Sequence, residues 1–461
     1  RYYPGGTYDY IPSGYVGLVG RITYDWKSRY MAEFNAGYNG SENFAPENRY
    51  GFFPAGSIGW VLSEEQFFAP LKKVVGYFKV RAAVGMVGND RMGSNRFLYL
   101  PGKYSYGSGD GYYFGTNVNN KKPGAWEASQ SNPDAKWETA VKQNYGIDFN
   151  ILNERLSVSA DYFIEKRRDI LVSPDYLPGI LGMTLPVVNV GKTENRGFEI
   201  QAKWNDKLND DFRYWANFNL SFARNKIIFK NEVAQNEEWM YETGRRIGSR
   251  SMYKFWGFYD ETAIADHGMT LAPGDAVFVD LNGDGVLNGD DATRDIGFTD
   301  IPEYTAGLNL GFSWKNFDFS MQWTGAWNVD RMLSEFRRPL GDTNSKALLL
   351  YQYETTWRSS EDTFTAKFPR ASNSHASNNY RGTDLYLINA SYLRLKNVEI
   401  GYNFDFPFMK KMKLDNCRLY INGYNLLTIT GFDWGDPESR QSDRPNYPLT
   451  RVFNIGLKVG F

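Results

Sequence analysis

The chain has 461 residues, about two to three globular domains by length alone, although a β-barrel can exceed that size as one unit. It carries 52 basic and 53 acidic residues, and a net charge of −1 gives no reason to expect a nucleic-acid partner. No run of 18 or more apolar residues occurs, which excludes a helical membrane protein.

Aromatic residues make up 17% of the chain and glycine contributes 45 residues, high shares for a sequence that is polar on average. Alternating strands bounded by aromatic girdles have this composition, but a β-propeller or a secreted β-sandwich fits it nearly as well. The single cysteine, Cys417, excludes an internal disulfide framework. With His267 and His375 as the only histidines, a multi-histidine metal site is not expected.

Strict alternation of apolar and polar residues predicts long β-strands. Tyr304, Leu308 and Trp314 mark the apolar side of one such segment, and the pattern restarts after the turn at 315–316. The segments run about 11 to 14 residues, roughly twice the usual globular length but suited to a tilted membrane crossing. About 13 strands are predicted, near residues 14–26, 28–40, 50–62, 77–88, 138–151, 154–168, 194–205, 211–225, 302–315, 316–328, 392–404, 414–428 and 450–461.

The connections between these strands differ in length according to strand parity. Connections after odd-numbered strands are short, at 27, 63–76, 152–153, 206–210, 315–316 and 405–413. Connections after even-numbered strands are long, at 41–49, 89–137, 169–193, 226–301, 329–391 and 429–449. Outer-membrane barrels have short periplasmic turns and long extracellular loops, whereas a β-sandwich has no reason to sort its loops. The sequence therefore predicts an all-β fold, an antiparallel transmembrane β-barrel of the bacterial outer membrane.

Two segments depart from the regular pattern. The apolar phase slips within 392–404, which predicts a β-bulge near Lys396 and Asn397. The longer connection 63–76 opens with Ser63-Glu64-Glu65-Gln66, a pattern typical of a capping box, and predicts a short helix on the periplasmic side.

The last predicted strand ends at Phe461 and places Phe453, Ile455 and Leu457 on its apolar face. A C-terminal aromatic residue on such a strand matches the signal that the membrane-insertion machinery of Gram-negative bacteria reads; the alternative is an edge strand that happens to end in Phe. Because the last strand must run toward the periplasm, thirteen strands of this parity cannot close an even-numbered barrel. We expect further strands before residue 1 and a longer, secreted precursor.

The segment 280–291 has the spacing of a calcium-binding loop. Oxygen ligands at positions 1, 3 and 5, Gly at 6, a main-chain carbonyl at 7 and an acid at 12 are what such a loop needs. The candidate ligands of a structural Ca²⁺ are Asp280, Asn282, Asp284, the carbonyl of Val286, Asn288 and Asp291. Asp at position 12 reaches less far than Glu, and the flanks do not predict an EF-hand helix pair. The alternative is an Asn/Gly-rich turn stabilised by its own side-chain hydrogen bonds.

Aromatic residues in the long loops are candidates for contact with a ligand or a lid protein. They are Tyr104, Tyr106, Tyr112, Tyr113, Trp126 and Trp239. Exposed rings beside polar groups suit carbohydrate stacking; the alternative is packing within the loops or in the interfacial girdle. No enzyme is predicted, because Gly107-Ser108-Gly109 is only a glycine-rich loop and no histidine is placed to activate a serine.

Several motifs follow one another in an order that resembles the SusC-like (RagA-like) TonB-dependent transporters of Bacteroidetes. They are Gly51–Pro54 with Gly59-Trp60 and Ser63–Glu65, Lys79–Arg81 with Val87–Asp90, Asn132-Pro133 with Trp137-Glu138, Asn195–Glu199, Pro273–Asp275 with Asp280–Gly285, Ser391–Asn397, and Gly423–Leu427. The resemblance implies a barrel of about 22 strands around an N-terminal plug. Residues 1–461 then form the C-terminal part of a single barrel, since plug domain, TonB box and about nine strands are not found in them.

The resemblance implies a nutrient importer subunit in the outer membrane. Oligosaccharides or peptides would enter beneath a SusD-like surface lipoprotein, and TonB would act through the N-terminal part. Outer-membrane lipid and lipopolysaccharide would surround the barrel. A passive porin, with selectivity set by Asp148, Asp161 and Asp318, is the alternative. An extracellular binding or adhesion protein is a third hypothesis, and it predicts a chain that needs no detergent.

Overall fold

The computed structural model describes residues 14–92, 96–100, 104–116, 121–127, 130–174, 185–261, 267–333, 350–371, 379–404, 416–439 and 449–460. The strands of this part are, in chain order, β1 (Tyr15–Trp26), β2 (Tyr30–Ser41), β3 (Tyr50–Val61), β4 (Val75–Asn89), β5 (Tyr104–Tyr113), β6 (Lys121–Glu127), β7 (Glu138–Ile151), β8 (Leu156–Val172), β9 (Val188–Lys207), β10 (Phe212–Phe229), β11 (Met252–Tyr253), β12 (Phe255–Phe258), β13 (Ala276–Phe278), β14 (Ala292–Thr293), β15 (Tyr304–Trp314), β16 (Phe317–Trp327), β17 (Asp330–Met332), β18 (Leu387–Asn389), β19 (Tyr392–Phe404), β20 (Asn416–Thr430) and β21 (Val452–Gly460).

Thirteen of these strands form one antiparallel sheet, and within this set of thirteen each strand pairs with the one that follows it in the sequence. The order is β1-β2-β3-β4-β7-β8-β9-β10-β15-β16-β19-β20-β21. The other strands form four small two-stranded sheets, β5-β6, β11-β14, β12-β13 and β17-β18. Within the described chain, β1 and β21 each have a single partner and are the two edges of the large sheet.

The thirteen predicted strands are confirmed, with differences at their ends. β9 begins at Val188 instead of 194, and β8 continues to Val172 instead of ending at 168. Val172 pairs with Val188 across these extensions. The ladder shifts register between Arg167 and Ile170 and again between Ile170 and Leu171, and these irregularities interrupt the alternation on which the prediction depends.

The pairing register gives the large sheet one apolar face and one polar face. One cross-strand row of the apolar face consists of Tyr24, Ala32, Ile58, Ala82 and Tyr145. One row of the polar face consists of Lys79, Asp148, Ser159, Gln201 and Asn219. A one-residue slip would exchange the two faces along a whole strand, so the patterning fixes the register.

The apolar face is not packed against a protein core. Ile22, Ile58 and Ile455 leave 70%, 66% and 77% of their surfaces exposed. A β-sandwich buries the apolar faces of its sheets, whereas a membrane barrel presents its apolar band to lipid. The exposure therefore favours the barrel over the sandwich.

The predicted sorting of connections is confirmed in the part of the chain that is described, except that the connection 62–74 between β3 and β4 is longer than 42–49 between β2 and β3. β1 and β2 are joined by 27–29, β7 and β8 by 152–155, and β15 and β16 by 315–316. At the other end of the sheet, 230–303 and 328–391 join β10 to β15 and β16 to β19. Short and long connections thus lie at opposite ends of the sheet.

The predicted β-bulge is confirmed at Lys396. Gln322 pairs with Asn397 and Trp323 pairs with Leu395, so Lys396 has no partner residue on β16. The ladder with β20 also shifts between Leu395 and Asn397. One extra residue on β19 explains why the apolar phase slips within this strand.

The capping-box prediction at Ser63 is wrong. The segment forms two separate 3-10 turns, Leu62–Glu64 and Gln66–Phe68, and neither has a side-chain cap. Ser63 lies inside the first turn and is fully buried. Glu65 instead accepts hydrogen bonds from Tyr30 and Trp60 on the neighbouring strands, and these tertiary contacts determine the path of the chain.

Helical structure is sparse in the described residues. The α-helix α1 covers Leu350–Thr355, and the remaining 3-10 turns are Pro46–Asn48, Glu238–Met240, Gly289–Asp291, Ser360–Asp362 and Asp384–Tyr386. Across the described ranges, no helix has the length and apolar character needed to cross a membrane.

Candidate functional site

The polar face carries ion-pair clusters that link neighbouring strands. Arg81 on β4 donates to Asp161 on β8 at 2.6 Å and to Asp148 on β7 at 3.0 Å. Arg418 on β20 pairs with Asp318 on β16 and with Glu399 on β19. The sequence singled out Asp148, Asp161 and Asp318 as lumen acids, and each has an arginine as its partner. The polar face is therefore a charged but locally neutralised wall.

Three long loops pack together at one end of the sheet. We call the described parts of 230–303, 328–391 and 431–439 the loop cap. Met252 from the first loop packs with Met332, Phe368 and Tyr386 from the second, and Trp434 from the third packs against them. In the described chain, the main hydrophobic core of the kind found in soluble proteins is therefore formed by loops, outside the sheet.

A buried arginine holds the three loops of the loop cap together. Arg331, 6% exposed, donates to the main-chain oxygens of Asp300 at 2.6 Å, Pro437 at 3.3 Å and Ser439 at 2.7 Å. Its neighbour Asp330 accepts the N–H of Phe298 at 2.6 Å, and burial raises the pKa of Asp330. One short strand thus fixes the positions of all three loops.

The structure brings the candidate calcium ligands onto one continuous turn. Asp280 accepts the N–H groups of Gly283 and Gly285 at 2.7 and 2.8 Å. The hydrogen bond from Gly285, followed by that from Gly283, lowers the pKa of Asp280 despite partial desolvation. Asn282 accepts the N–H of Asp284 in the same way, and Asp284 accepts that of Val286. The two glycines adopt positive φ angles of 75° and 82°, which the tight turn requires.

The acid at position 12 points inward. Asp291 is fully buried, and its two carboxylate oxygens accept the N–H groups of Leu281 and Asn288. Asn288 accepts the N–H of Asp290 and caps the 3-10 turn that follows. Over the described ranges, no group of three or more His, Cys, Asp or Glu side chains is arranged to hold a metal ion. These contacts favour the hydrogen-bonded turn, and calcium binding stays a prediction.

Trp239 contacts the same turn. Its Nε1 donates to the main-chain oxygen of Asp290 at 2.7 Å, and Asn236 donates to the carboxylate of Asp290. Trp239 is half-buried, so it packs the loop cap instead of standing free. A ligand-contact role for this residue stays a prediction.

The other predicted contact residues lie together on the β5-β6 hairpin. Tyr104, Tyr106 and Tyr112 are strongly exposed, and Tyr113 and Trp126 are less so. Tyr106 pairs with Ala125 and Ser105 with Trp126, so Tyr106 and Trp126 project from opposite sides of the hairpin. The hairpin thus presents aromatic rings on both sides, and their ligand or lid contact stays a prediction. Phe461, the predicted insertion signal, lies outside the described residues.

A family model covers nearly the whole chain. The model described as "TonB dependent receptor-like, beta-barrel" matches residues 2–426. The chain belongs to this family. The fold prediction and the suspected relationship are therefore confirmed, and the TonB-dependent receptor-like barrel lies in the bacterial outer membrane.

Curated relatives are similar along the entire chain. The "TonB-dependent receptor P3" of Formosa agariphila is 29% identical over 99% of this chain and 47% of its own length. The "TonB-dependent receptor SusC" of Bacteroides thetaiotaomicron is 26% identical over 97% of this chain and 44% of its own length. This receptor-like barrel chain thus spans about half the length of the curated relatives it matches.

Solved structures share the fold. The "RagAB peptide importer in the 'open-open' state" matches with a TM-score of 0.76 and 21% identity, over 97% of this chain and 47% of that chain. Its "closed-closed" state matches with a TM-score of 0.74 and 20% identity. At these identities the likeness shows the fold of the receptor-like barrel alone.

Sequence reasoning missed the buried polar contacts of the loop cap. Arg370 donates to Asp275 at 2.6 Å, and Asn379 donates to the same carboxylate at 2.8 Å. Arg394, 2% exposed, binds both carboxylate oxygens of Asp436. No local spacing points to these pairs, because their members lie 42 to 104 residues apart. Their one available signal was that Asp275 and Arg394 fall inside the family motifs.

Proposed function

We propose that this chain is the barrel part of an active outer-membrane importer of the SusC type. The observation that carries the proposal is the thirteen-stranded sheet with its exposed apolar face, its polar face and its sorted loops. The fold of this chain matches that of a chain of the RagAB peptide importer over 97% of its length. Peptides are what that relative is named for importing; oligosaccharides or peptides are the proposed cargo here.

The two edges of the sheet support the proposal that the barrel is larger than this chain. Among the described residues, β1 and β21 each have one edge whose main-chain donors and acceptors pair with no other strand, and such edges do not face lipid. Residues 1–461 are therefore proposed as the C-terminal part of one barrel. In that arrangement the remaining strands and a plug come from the rest of the receptor, and TonB acts on that part.

The loop cap and the β5-β6 hairpin are the proposed contact region for a SusD-like surface lipoprotein. The loop cap is held together by a packed hydrophobic cluster, which suits a docking platform, and the hairpin carries exposed rings that suit a protein or ligand contact. Structural Ca²⁺ in segment 280–291 would stiffen the same region. The relatives are named as receptors, and we propose no enzymatic activity for this chain.

Two measurements on the full-length receptor test the importer. Affinity purification from outer membranes, followed by mass spectrometry, should recover a lipoprotein of the same operon in near-equal amount. Uptake of a fluorescent oligosaccharide or peptide mixture by cells should stop when an uncoupler collapses the proton gradient. Uptake that continues at the same rate with the uncoupler would show a passive porin, and Asp318→Asn should then change its ion selectivity.

A further inference from the structure

The loop cap contains a cavity of about 320 Å³ between its second and third loops. Four aromatic residues line it, Tyr351, Phe368, Tyr386 and Trp434, and we call it the aromatic cavity. Three aliphatic side chains complete the inner wall: Leu333, Leu385 and Ile388. The volume lies at the small end of the range for ligand pockets, about 300–1,000 Å³, and suits one unit of a polymeric ligand.

Three of the rings form a corner. Tyr351 and Trp434 meet at 4.7 Å and 78°, Tyr351 and Phe368 at 6.1 Å and 86°, and Phe368 and Trp434 at 6.4 Å and 80°. Edge-to-face contacts of this kind hold rings in fixed positions. The cavity is therefore a preformed space beside three nearly perpendicular rings, whose contacts with one another maintain its shape.

The hydroxyl groups that reach the inner wall already have partners. Tyr386 donates its hydroxyl to the main-chain oxygen of Asn379 at 2.6 Å, in a fully buried position. The hydroxyl of Tyr351 accepts a hydrogen bond from Lys367 Nζ at 2.6 Å. A ligand hydroxyl placed against the aliphatic wall would lose its water without gaining a partner there, and this costs free energy.

The mouth of the aromatic cavity carries one charge of each sign. Lys367 and Asp433 both line it and both are exposed. The Lys367 ammonium also lies 5.1 Å from the centre of the Tyr351 ring. The hydrogen bond to Tyr351 raises the pKa of Lys367, so this group stays cationic at neutral pH. An apolar interior with a cation and an anion at its entrance is thus available to a ligand.

We propose that the aromatic cavity binds one apolar side chain of a peptide. Lys367 would hold the carbonyl or carboxylate oxygen of the bound residue, and Asp433 would accept from its N–H or amine. A sugar ring carries hydroxyls around its whole edge and would leave several unpaired against Leu333, Leu385 and Ile388. This inference rests on the proposed importer and narrows its cargo to peptides.

The test is calorimetry on the full-length receptor purified in detergent. The probes are Gly-Leu-Gly and Gly-Phe-Gly, compared with Gly-Ser-Gly and maltotriose. Burial of a Leu or Phe side chain should make the first two bind at least about tenfold more tightly than Gly-Ser-Gly. Maltotriose should not compete with them. Tighter binding of maltotriose, or no binding of any peptide, would overturn the proposal.

Two variants locate the binding in the aromatic cavity. Ala366→Leu adds bulk to its lining and should abolish binding of Gly-Leu-Gly. Lys367→Gln, at an exposed position that leaves folding intact, should weaken binding about tenfold through loss of a charged hydrogen bond. Lys73→Gln, an exposed lysine in the connection 62–74, is the matched control and should change nothing. Unchanged affinity in both cavity variants would place the peptide elsewhere.

Failure of the peptide site in the aromatic cavity can be distinguished from failure of the proposed importer. Uptake that depends on the proton gradient, in a receptor that binds none of the tripeptides, would refute the aromatic cavity and leave the importer standing. If both cavity variants reduce tripeptide binding but uptake is unaffected by the uncoupler, the active importer is refuted and the peptide site in the aromatic cavity is supported.

Discussion

Replacing Glu303 with Gln is expected to lower the free energy of unfolding by about 2 kcal/mol at pH 7. Glu303 lies directly before β15, where the loop cap joins the sheet, and its side chain is 6% exposed. Arg224 on β10 donates to both of its oxygens, at 2.9 and 2.7 Å. Arg246 and Asn328, from two different loops, donate to the same carboxylate.

The magnitude follows from the exposure of the two arginines. Breaking a fully buried ion pair costs about 3–5 kcal/mol, because the remaining charge is left without a partner. Arg224 is 48% exposed and Arg246 31%, so water solvates much of the charge that the substitution frees. Gln also keeps the shape of the side chain and one acceptor oxygen. The expected cost is therefore well below that of a fully buried pair.

The pH dependence has a definite sign. Burial alone would raise the pKa of Glu303, but the hydrogen bonds from Arg224, Asn328 and Arg246 outweigh it and lower the pKa below its ordinary 4.5. A carboxylate with a lowered folded-state pKa stabilises the protein above the unfolded pKa, and this contribution is lost as pH falls through the folded pKa. The difference between wild type and Glu303→Gln should thus narrow as the pH falls below 4.5.

Thermal and urea unfolding of the purified receptor in detergent, followed by circular dichroism, measures both effects. The control is Asp210→Asn, which removes an almost fully exposed acid from a short turn and should leave the midpoint unchanged. A Glu303→Gln protein with wild-type stability at pH 7 would refute the reasoning. So would a deficit that stays constant down to pH 3.

Three further predictions concern other parts of the molecule. Arg394→Met should lower the free energy of unfolding by about 3–5 kcal/mol, because Asp436 and Glu438 lose the 2%-exposed arginine that pairs with them. It should also make segment 431–439 more sensitive to cleavage by the protease Glu-C, and Lys396→Met on the same strand is the control. Gly197→Ala should destabilise the sheet by about 1–3 kcal/mol, because the added Cβ would lie 1.9 Å from a main-chain oxygen of β10. Gly20→Ala is the control, since its Cβ would meet nothing within 4 Å, and the midpoint of thermal unfolding should fall only for Gly197→Ala. Asp284→Ala should abolish the heat of calcium binding in calorimetry, and identical heats in the variant and wild type would remove calcium from segment 280–291.

The sheet could be predicted from the sequence because its information is local. Alternation within a single strand, as at Tyr304–Trp314, specifies strand, face and register together when one face meets lipid. The same reading placed the bulge at Lys396, since one extra residue shifts the phase visibly. Loop length by parity then gave the direction of the strands.

The local pattern at Ser63 failed because tertiary contacts compete with it. The sequence after Ser63 matches a capping box. Glu65 instead accepts hydrogen bonds from Tyr30 and Trp60 on adjacent strands, and the segment forms 3-10 turns without a side-chain cap. Asp291 occupies the last ligand position of the predicted calcium loop, and its buried carboxylate accepts two main-chain N–H groups of its own turn. Calcium binding there stays a prediction, because the spacing does not specify whether this carboxylate binds an ion or the main chain.

The loop cap was decided by the tertiary structure alone. Arg331 binds a carbonyl 108 residues away, Arg370 binds an acid 95 residues away, and the aromatic cavity joins Tyr351 to Trp434 across two loops. No periodicity links such positions, because irregular loops have no repeating geometry that relates sequence spacing to direction. The sequence by itself therefore determined that this protein is a membrane barrel with large loops. Only the packing of those loops showed where a ligand could bind.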